Sequence, residues 1–263
     1  MTPPGHKARI ARRFDAAAAT YDVASAAQRT AAGELARQIR ELLPASTTTP
    51  RRVLEIGCGS GHLTRELLPH IAGDWFVSDI APAMVTRCRT SCGPAAHYLV
   101  MDGEHPALAG PFDLIISNLA AQWFSDLPGT MTRLADLLAP GGFLALSTLG
   151  NENFAAWHAA HAALGLTAAT PGYPSGAAIA AALPPGLALR HFSEQNLPAH
   201  GSDPLEFVRN LRAIGADTPA PGTVPLTPGQ LRRVLRHVTQ PTPAGSPGSV
   251  CYHLVYVVAQ RAG

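Results

Sequence analysis

Apolar positions along the chain fall into two rhythms. Over residues 7–43 they recur at helical spacing, with Ala27, Leu35, Ile39 and Leu42 on one face. The pattern breaks near Tyr21-Asp22, which predicts two helical pieces. A polar stretch, ASTTTP at 45–50, reads as a linker. The rhythm then changes to short apolar runs: RRVLEI, WFVSDI, HYLVM, FDLIISNL and GGFLALSTL, the last entered through Pro140-Gly141-Gly142. Residues 62–71, APAMVTRCRTSC and residues 128–139 read as the helices between them. Short buried strands alternating with helices predict a parallel sheet covered on both faces.

Past Gly150 the alternation loosens. A helix is expected over 152–164, then a Gly/Pro-rich stretch, a strand near 187–197, and a helix over 203–215 capped by Ser202 or Asp203. The proline-rich loops PAPGTVPLTP and QPTPAGSPGS flank another helix near 228–238. SVCYHLVYVVAQ is a long closing strand, expected to form a hairpin that finishes the sheet edge. The expected organisation is α/β and a single domain over 1–263. Its parts are an N-terminal helical lid (1–44), a core (51–150), and later helices and strands (151–263).

Composition narrows the classes. Apolar residues make up 46% and charged residues 14%, a globular balance. No run of eighteen apolar residues marks a membrane span. The basic N-terminus lacks an apolar stretch behind it, so no secretory signal is expected and the cytoplasm is the expected location. Cys58, Cys88, Cys92 and Cys251 form no paired framework and lack zinc-site spacing, so reduced thiols without a metal are expected. A net charge of +2 does not mark a nucleic-acid binder. Two basic clusters, Lys7/Arg9/Arg12/Arg13 and Arg209/Arg212/Arg232/Arg233/Arg236, are suited to steering an acidic partner.

The chemistry concentrates at predicted strand ends. VLEIGCGSGHLT (53–64) places Gly57, Gly59 and Gly61, with Cys58 between them, where a strand turns into a helix N-terminus. Glu55 sets this loop apart from a dinucleotide site. A carboxylate there repels pyrophosphate and favours a ligand with an ammonium group. S-adenosylmethionine has such an amino-acid end and a sulfonium; NAD has neither. Asp79-Ile80 closes the second strand about twenty residues on, where an acid binds ribose hydroxyls. Asp102-Gly103 follows the third strand, with Asp102 able to accept from an adenine amine and Met84 or Met101 to flank the ring. Asn118-Leu119 ends the fourth strand at the sheet's carboxyl edge. His62, His97 and His105 are expected to make ordinary hydrogen bonds rather than act as bases.

Over residues 50–150 this arrangement resembles the class I S-adenosylmethionine-dependent methyltransferases. The resemblance implies a Rossmann-like, seven-stranded sheet with an antiparallel last strand. It also implies the loop 57–61 around the methionine end, Asp79 on the ribose and Asp102 near adenine. Five segments resemble one branch, the malonyl-acyl-carrier-protein methyltransferases of biotin synthesis: IARRFDAAAATYD (10–22), GCGSGHLTREL (57–67), SNLAAQWFSDLP (117–128), STLG (147–150) and FVRNLRAIGADTP (207–219). The chain departs from that pattern over 165–186. The resemblance implies methyl transfer to the free carboxylate of a malonyl thioester on acyl carrier protein, with no general base. Tyr21 is then expected to close over the cofactor and orient the carboxylate. Gln122 and Trp123 are expected to line the acceptor pocket. Arg209 and Arg212 are expected to meet the carrier protein or its phosphopantetheine phosphate. Two alternatives stay open: another small acceptor, such as a dicarboxylate or quinone precursor, and a non-methylating assembly factor on the same scaffold.

Overall fold

The computed structural model describes residues 5–43, 51–199, 204–220, 222–239 and 250–263. The elements in chain order are α1 (His6–Ala17), α2 (Tyr21–Ala24), α3 (Ala26–Leu42), β1 (Arg51–Ile56), α4 (His62–Leu67), β2 (Gly73–Asp79), α5 (Pro82–Cys92), β3 (His97–Val100) and β4 (Phe112–Asn118). They continue with α6 (Leu127–Asp136), β5 (Leu138–Leu149), α7 (Ala155–Ala163), α8 (Gly176–Ala181), β6 (Leu187–Pro198), α9 (Pro204–Ala213), α10 (Pro228–Val238) and β7 (Cys251–Arg261). A 3-10 turn at Ala121–Trp123 follows β4.

The seven strands form one sheet in the order β3-β2-β1-β4-β5-β7-β6. The first five run parallel, and β7 pairs antiparallel with both β5 and β6. The expected hairpin is present, but β6 takes the rim and the closing strand lies inside. Burial explains the order: β7 is buried from Tyr252 to Ala259, whereas β6 is exposed at most positions. A terminal strand with no polar face is stable only between two neighbours.

The central strands feed two cores. Val53, Leu114, Leu254 and Tyr256 face α3 and α10, while Leu54, Ile115, Leu144 and Val255 face α6. This alternation is the period-2 geometry of a strand. In β4 a register shift between Phe112 and Leu114 returns Phe112 to the face of Ile115.

Several boundaries differ from the sequence reading for local reasons. The N-terminal segment is three helices, not two, because a single turn at Tyr21–Ala24 is set off on both sides. Thr20 helps to fix it, its hydroxyl donating to the carbonyls of Ala17 and Ala213. Helix α4 stops at Leu67, since Pro69 has no N–H to continue the ladder. Helix α8 arises unannounced in the alanine-rich stretch, its start capped by the Ser175 hydroxyl accepting from Ala178 N. The linker at 45–50, the caps Ser202 and Asp203, and the 240–249 loop lie outside the described residues. Among the described residues, no helix is long and apolar enough to cross a membrane.

Candidate active site

The carboxyl ends of β1, β2, β3 and β4 open on one edge of the sheet, where ligands bind in open α/β folds. After β1 the chain turns through Gly57, Gly59 and Gly61, all with left-handed φ. A Cβ on Gly57 would sit 2.3 Å from Ala120 Cβ, so this glycine lets the loop after β4 close against it. Gly61 serves another purpose. A Cβ there would come within 2.6 Å of Cys92 Sγ and 3.0 Å of Cys88 Sγ, so Gly61 admits α5 rather than a ligand.

A pocket of about 80 Å³ occupies this edge, lined by Gly57, Gly59, Asp79, Ile80, Met101, Asp102, Gly103, Asn118 and Leu119 among others. Asp79 is its best-anchored acid. Its two oxygens accept from Gly59 N and Ala81 N, each at 2.9 Å. Burial nevertheless pushes its carboxyl up to about 6, against those N–H donors. Asp102 is less free than expected. Lys7 of α1 donates to its Oδ2 at 2.5 Å, and Glu104 N donates to Oδ1 at 3.0 Å. Lys7 also pairs with Glu104, whose side chain is 3% exposed. Asn118 is fixed by its amide donating to Gln28 O and by Ser147 Oγ donating to its Oδ1.

Four expected cofactor residues do not line this pocket. Glu55 is buried at 1% and accepts from Thr64 Oγ1 at 2.6 Å. Burial pushes its carboxyl up to about 8, so at neutral pH it is mostly neutral and is not the fixed charge the sequence suggested. Cys58 points its thiol along the loop to Gly59 O. Gly61 packs on α5, as described above. Met84 is fully buried with Tyr21, Ala81 and Ile214, whereas Met101 lines the pocket.

A second cleft of about 380 Å³ adjoins the first and shares Phe14, Tyr21, Leu119 and Trp123 with it. Tyr21 is buried, its ring against Gly59 and stacked near His62. Burial first, then Asp79 and Asp22, hold its phenol well above the ordinary range, so it stays protonated. Trp123 meets Phe14 edge-on at 5.7 Å. Gln122 lines the large cleft, but its amide is spent: Nε2 donates to Leu119 O at 2.8 Å and Oε1 accepts from Thr148. Arg212 is exposed and lines the cleft; Arg209, one turn earlier on α9, is exposed and does not.

The helical segment that lines both pockets is tied down by polar contacts. Asp15 accepts from Ala83 N in the first turn of α5, and Asp22 pairs with Arg87. His62 Nδ1 lies 2.7 Å from an Arg65 nitrogen, which can only donate. The ring proton therefore sits on Nε2 and points to Ser25 Oγ at 2.8 Å, and burial lowers His62 to about 4. His62 is thus a structural contact. Neither His97 nor His105 lines either pocket. The sequence reading missed Lys7, Phe14 and Gln28 as site residues. Their signal was faint: a lysine in a basic stretch, and an aromatic and an amide on helices outside the glycine motif.

The fold and this strand-end site define an S-adenosylmethionine-dependent methyltransferase. Residues 27–183 match the family model described as "Methyltransferase domain", and the chain belongs to that family. Solved structures agree in fold: the YcgJ protein from Bacillus subtilis superposes with TM-score 0.60 at 18% identity, covering 87% of this chain and 98% of its own. The N-methyltransferase NodS from Bradyrhizobium japonicum, in complex with S-adenosyl-L-homocysteine, gives 0.51 at 14% identity, covering 88% of this chain and 87% of that one.

Sequence relatives narrow the branch. The chain is 39% identical to a malonyl-[acyl-carrier protein] O-methyltransferase from Magnetococcus marinus, covering 78% of this chain and 76% of that protein. It is 51% identical to the biotin biosynthesis bifunctional protein BioCD from Bordetella avium, over 90% of this chain but only 50% of that longer protein. A third relative, a malonyl-[acyl-carrier protein] O-methyltransferase from Dechloromonas aromatica, is 31% identical over 97% of this chain and 95% of its own length. The chain belongs to the malonyl-[acyl-carrier protein] O-methyltransferase family.

Proposed function

We propose that this chain methylates the free carboxylate of a malonyl unit held on the phosphopantetheine arm of an acyl carrier protein. The observation that carries the reading is the pair of adjoining pockets. A small, acid-lined pocket at the glycine loop meets a long cleft across Tyr21, Leu119 and Trp123. The cleft walls are largely aromatic and aliphatic, including Phe154, Trp157, Phe207 and Tyr252, with Arg13 and Arg212 among its lining residues. That suits a slender acyl arm with a charge at each end.

The residues of the small pocket fit the cofactor. Glycines at 57 and 103 leave no room for a Cβ, which would fall 2.3 Å from Ala120 Cβ and 2.2 Å from Ile56 Cγ2. These contacts let neighbouring side chains pack closely behind two glycines that line the pocket. Asp79 keeps a lone pair on each oxygen for the ribose hydroxyls, and Asp102 with Ile80, Met101 and Gly103 makes the adenine end. Asn118, Leu119 and the backbone at Gly57 and Gly59 take the methionine end. A lining with three acids favours a ligand that carries positive charge over a pyrophosphate.

When bound, S-adenosylmethionine supplies a methyl group on a sulfonium, open to in-line displacement. Tyr21 stays a hydroxyl at any working pH and donates to the incoming carboxylate. Phe14, Leu119 and Trp123 exclude water from the junction. A malonyl carboxylate, with an ordinary value near ~4, is already ionised, so no residue need remove a proton. One negative and one positive charge disappear together, which a dry junction favours over hydrated ions. Positioning by these walls supplies the remainder, up to ~7–11 kcal/mol for well-oriented partners. Arg212, with Arg209 on the same exposed helix, receives the phosphate of the arm or acidic groups of the carrier.

The test is to incubate purified chain with malonyl-acyl carrier protein and S-adenosylmethionine and to read the product by intact mass. A gain of one methyl, lost on mild ester hydrolysis, is expected. No gain, with cofactor binding demonstrated, overturns the substrate assignment.

A further inference from the structure

Gln28 lies in the first turn of α3 and is one of the residues lining the large cleft, as are Tyr21 and Gln122. Its Oε1 is buried, and among the described residues it has no hydrogen-bond partner. A buried polar atom left this way is costly, and in a native structure it calls for an explanation. Thr218 Oγ1 is the other such atom on the cleft's lining residues. Of the two, Gln28 is the one tied to a residue of the small pocket, since the Asn118 amide donates to the Gln28 backbone carbonyl at 3.0 Å.

The reaction needs a donor at that place. A carboxylate has about four acceptor sites, and only one lone pair attacks the methyl carbon. The residues common to both pockets are Phe14, Tyr21, Leu119 and Trp123, none of them a cation. Arg13 and Arg212 both lie toward solvent; the Arg13 side chain is 52% exposed and faces Asp217 at 3.7 Å. A close cation would also hold the carboxylate's charge in the ground state and blunt its attack. Neutral donors avoid that. Gln122 is committed to Leu119 O; Tyr21, Trp123, Thr218 and Tyr252 are further neutral donors on the cleft wall, and Gln28 is singled out by joining a buried side-chain atom without a partner to a backbone contact with Asn118. An amide presents its oxygen or its NH2 by a half-turn about one bond, so the atom without a partner marks a place where Nε2 can donate once an anion arrives.

We propose that Gln28 is the second donor to the acceptor carboxylate, working with Tyr21. The assignment rests on the carboxylate-methylation reading. Its amide oxygen has no partner among the described residues. With substrate present the amide turns and fixes the non-attacking oxygen, which aims the other at the methyl carbon.

The experiment uses the full chain with malonyl-acyl carrier protein, and with Gln28→Met and Gln28→Glu variants. Methionine matches glutamine in length and helix propensity, so α3 should be unaffected. Gln28→Met is expected to lower kcat/KM for the malonyl substrate about 10- to 100-fold, the scale of one lost bond to a charged group. Cofactor affinity and thermal midpoint should stay at wild-type values. Gln28→Glu is expected to be worse at pH 8 and to recover relative to wild type toward pH 5.5, as the new acid protonates and regains a donor. Activity within two-fold of wild type for Gln28→Met, or a pH profile for Gln28→Glu parallel to wild type, overturns the role. Loss of activity in step with cofactor affinity or stability also overturns it, by showing a structural position. If the wild-type chain itself fails to methylate malonyl-acyl carrier protein, the substrate reading falls first and Gln28's role falls with it.

Discussion

Lys7 bridges Asp102 and Glu104 from the first helix, and replacing it with methionine tests how firmly that helix is tied to the cofactor pocket. Methionine keeps the apolar stem and removes the charge. Side-chain exposures are 28% for Lys7, 31% for Asp102 and 3% for Glu104, so the contact with Glu104 is the sheltered one. Two unit charges 4 Å apart attract by ~4 kcal/mol at an effective dielectric of 20. Removing one partner of a buried pair typically costs ~3–5 kcal/mol, because the other charge is stranded. Glu104 retains Asp126 N at 2.9 Å and Thr130 Oγ1 at 3.3 Å, which softens the loss. The expected cost of Lys7→Met is therefore about 2–3 kcal/mol, a fall of roughly 5–10 °C in midpoint for a chain this size. The pH dependence has a definite sign. Against the desolvation of its buried carboxyl, Lys7 and the Asp126 and Ser125 N–H groups hold Glu104 below the usual range. Stability from a lowered acid is full above its unfolded value, ~4.3, and is lost as pH falls through the folded value. Without Lys7 the carboxyl titrates higher, so the gap between variant and wild type should narrow between pH 7.5 and pH 4.5. Differential scanning fluorimetry at both values measures this, with hydrogen exchange of α1 as a local readout. A midpoint shift below about 1 °C, or an equal shift at both pH values, would refute the coupling of α1 to Glu104.

Gly57→Ala should lower both stability and cofactor affinity, since its Cβ would meet Ala120 Cβ at 2.3 Å and its φ is +72°. Left-handed strain of ~1 kcal/mol adds to ~1–3 kcal/mol of overpacking. Adding Ala120→Gly should recover the second part only, as read by urea midpoints. Asp79→Asn should weaken cofactor binding more than ten-fold by calorimetry and yet raise the midpoint of the unliganded protein at pH 7.5. Lifting a carboxyl from ~3.9 to about 6 corresponds to ~3 kcal/mol of unfavourable ionisation, less ~1 kcal/mol for an N–H left without its acceptor. A raised acid loses stability as pH climbs through that interval, so the advantage of asparagine should vanish near pH 4. For Arg212, KM for malonyl-acyl carrier protein should rise with salt more steeply than KM for malonyl-coenzyme A, and Arg212→Ala should flatten the difference. Equal salt slopes in the wild-type chain would remove the docking role.

How far the sequence reached can be seen element by element. Strands β1 to β5 were legible because each is a continuous apolar run bounded by turns, and the glycine loop with Asp79, Asp102 and Asn118 was legible because each closes such a run. Those positions depend on local spacing, which a sequence carries. The branch was legible too, in segments such as STLG and FVRNLRAIGADTP. Depth and direction were not legible. Glu55, Cys58, Gly61 and Met84 belong to the motif region yet face the protein interior, because α5 packs its Cys88 and Cys92 against the back of the loop. Gln122 lines the cleft as expected, and its amide donates to Leu119 O, a contact that no local pattern announces.

The sequence by itself therefore determined the order of the strands and of most helices, the glycine loop after the first strand, and the methyltransferase branch. These follow from hydrophobic period and from residue types that a turn or strand end requires. Only the tertiary structure decided that β7 lies inside the sheet, that Lys7 reaches an acid ninety-five residues away, and that the Gln28 Oε1 atom is buried with no partner among the described residues. Such contacts join segments distant in sequence, and their partners are chosen by packing, which no local pattern encodes.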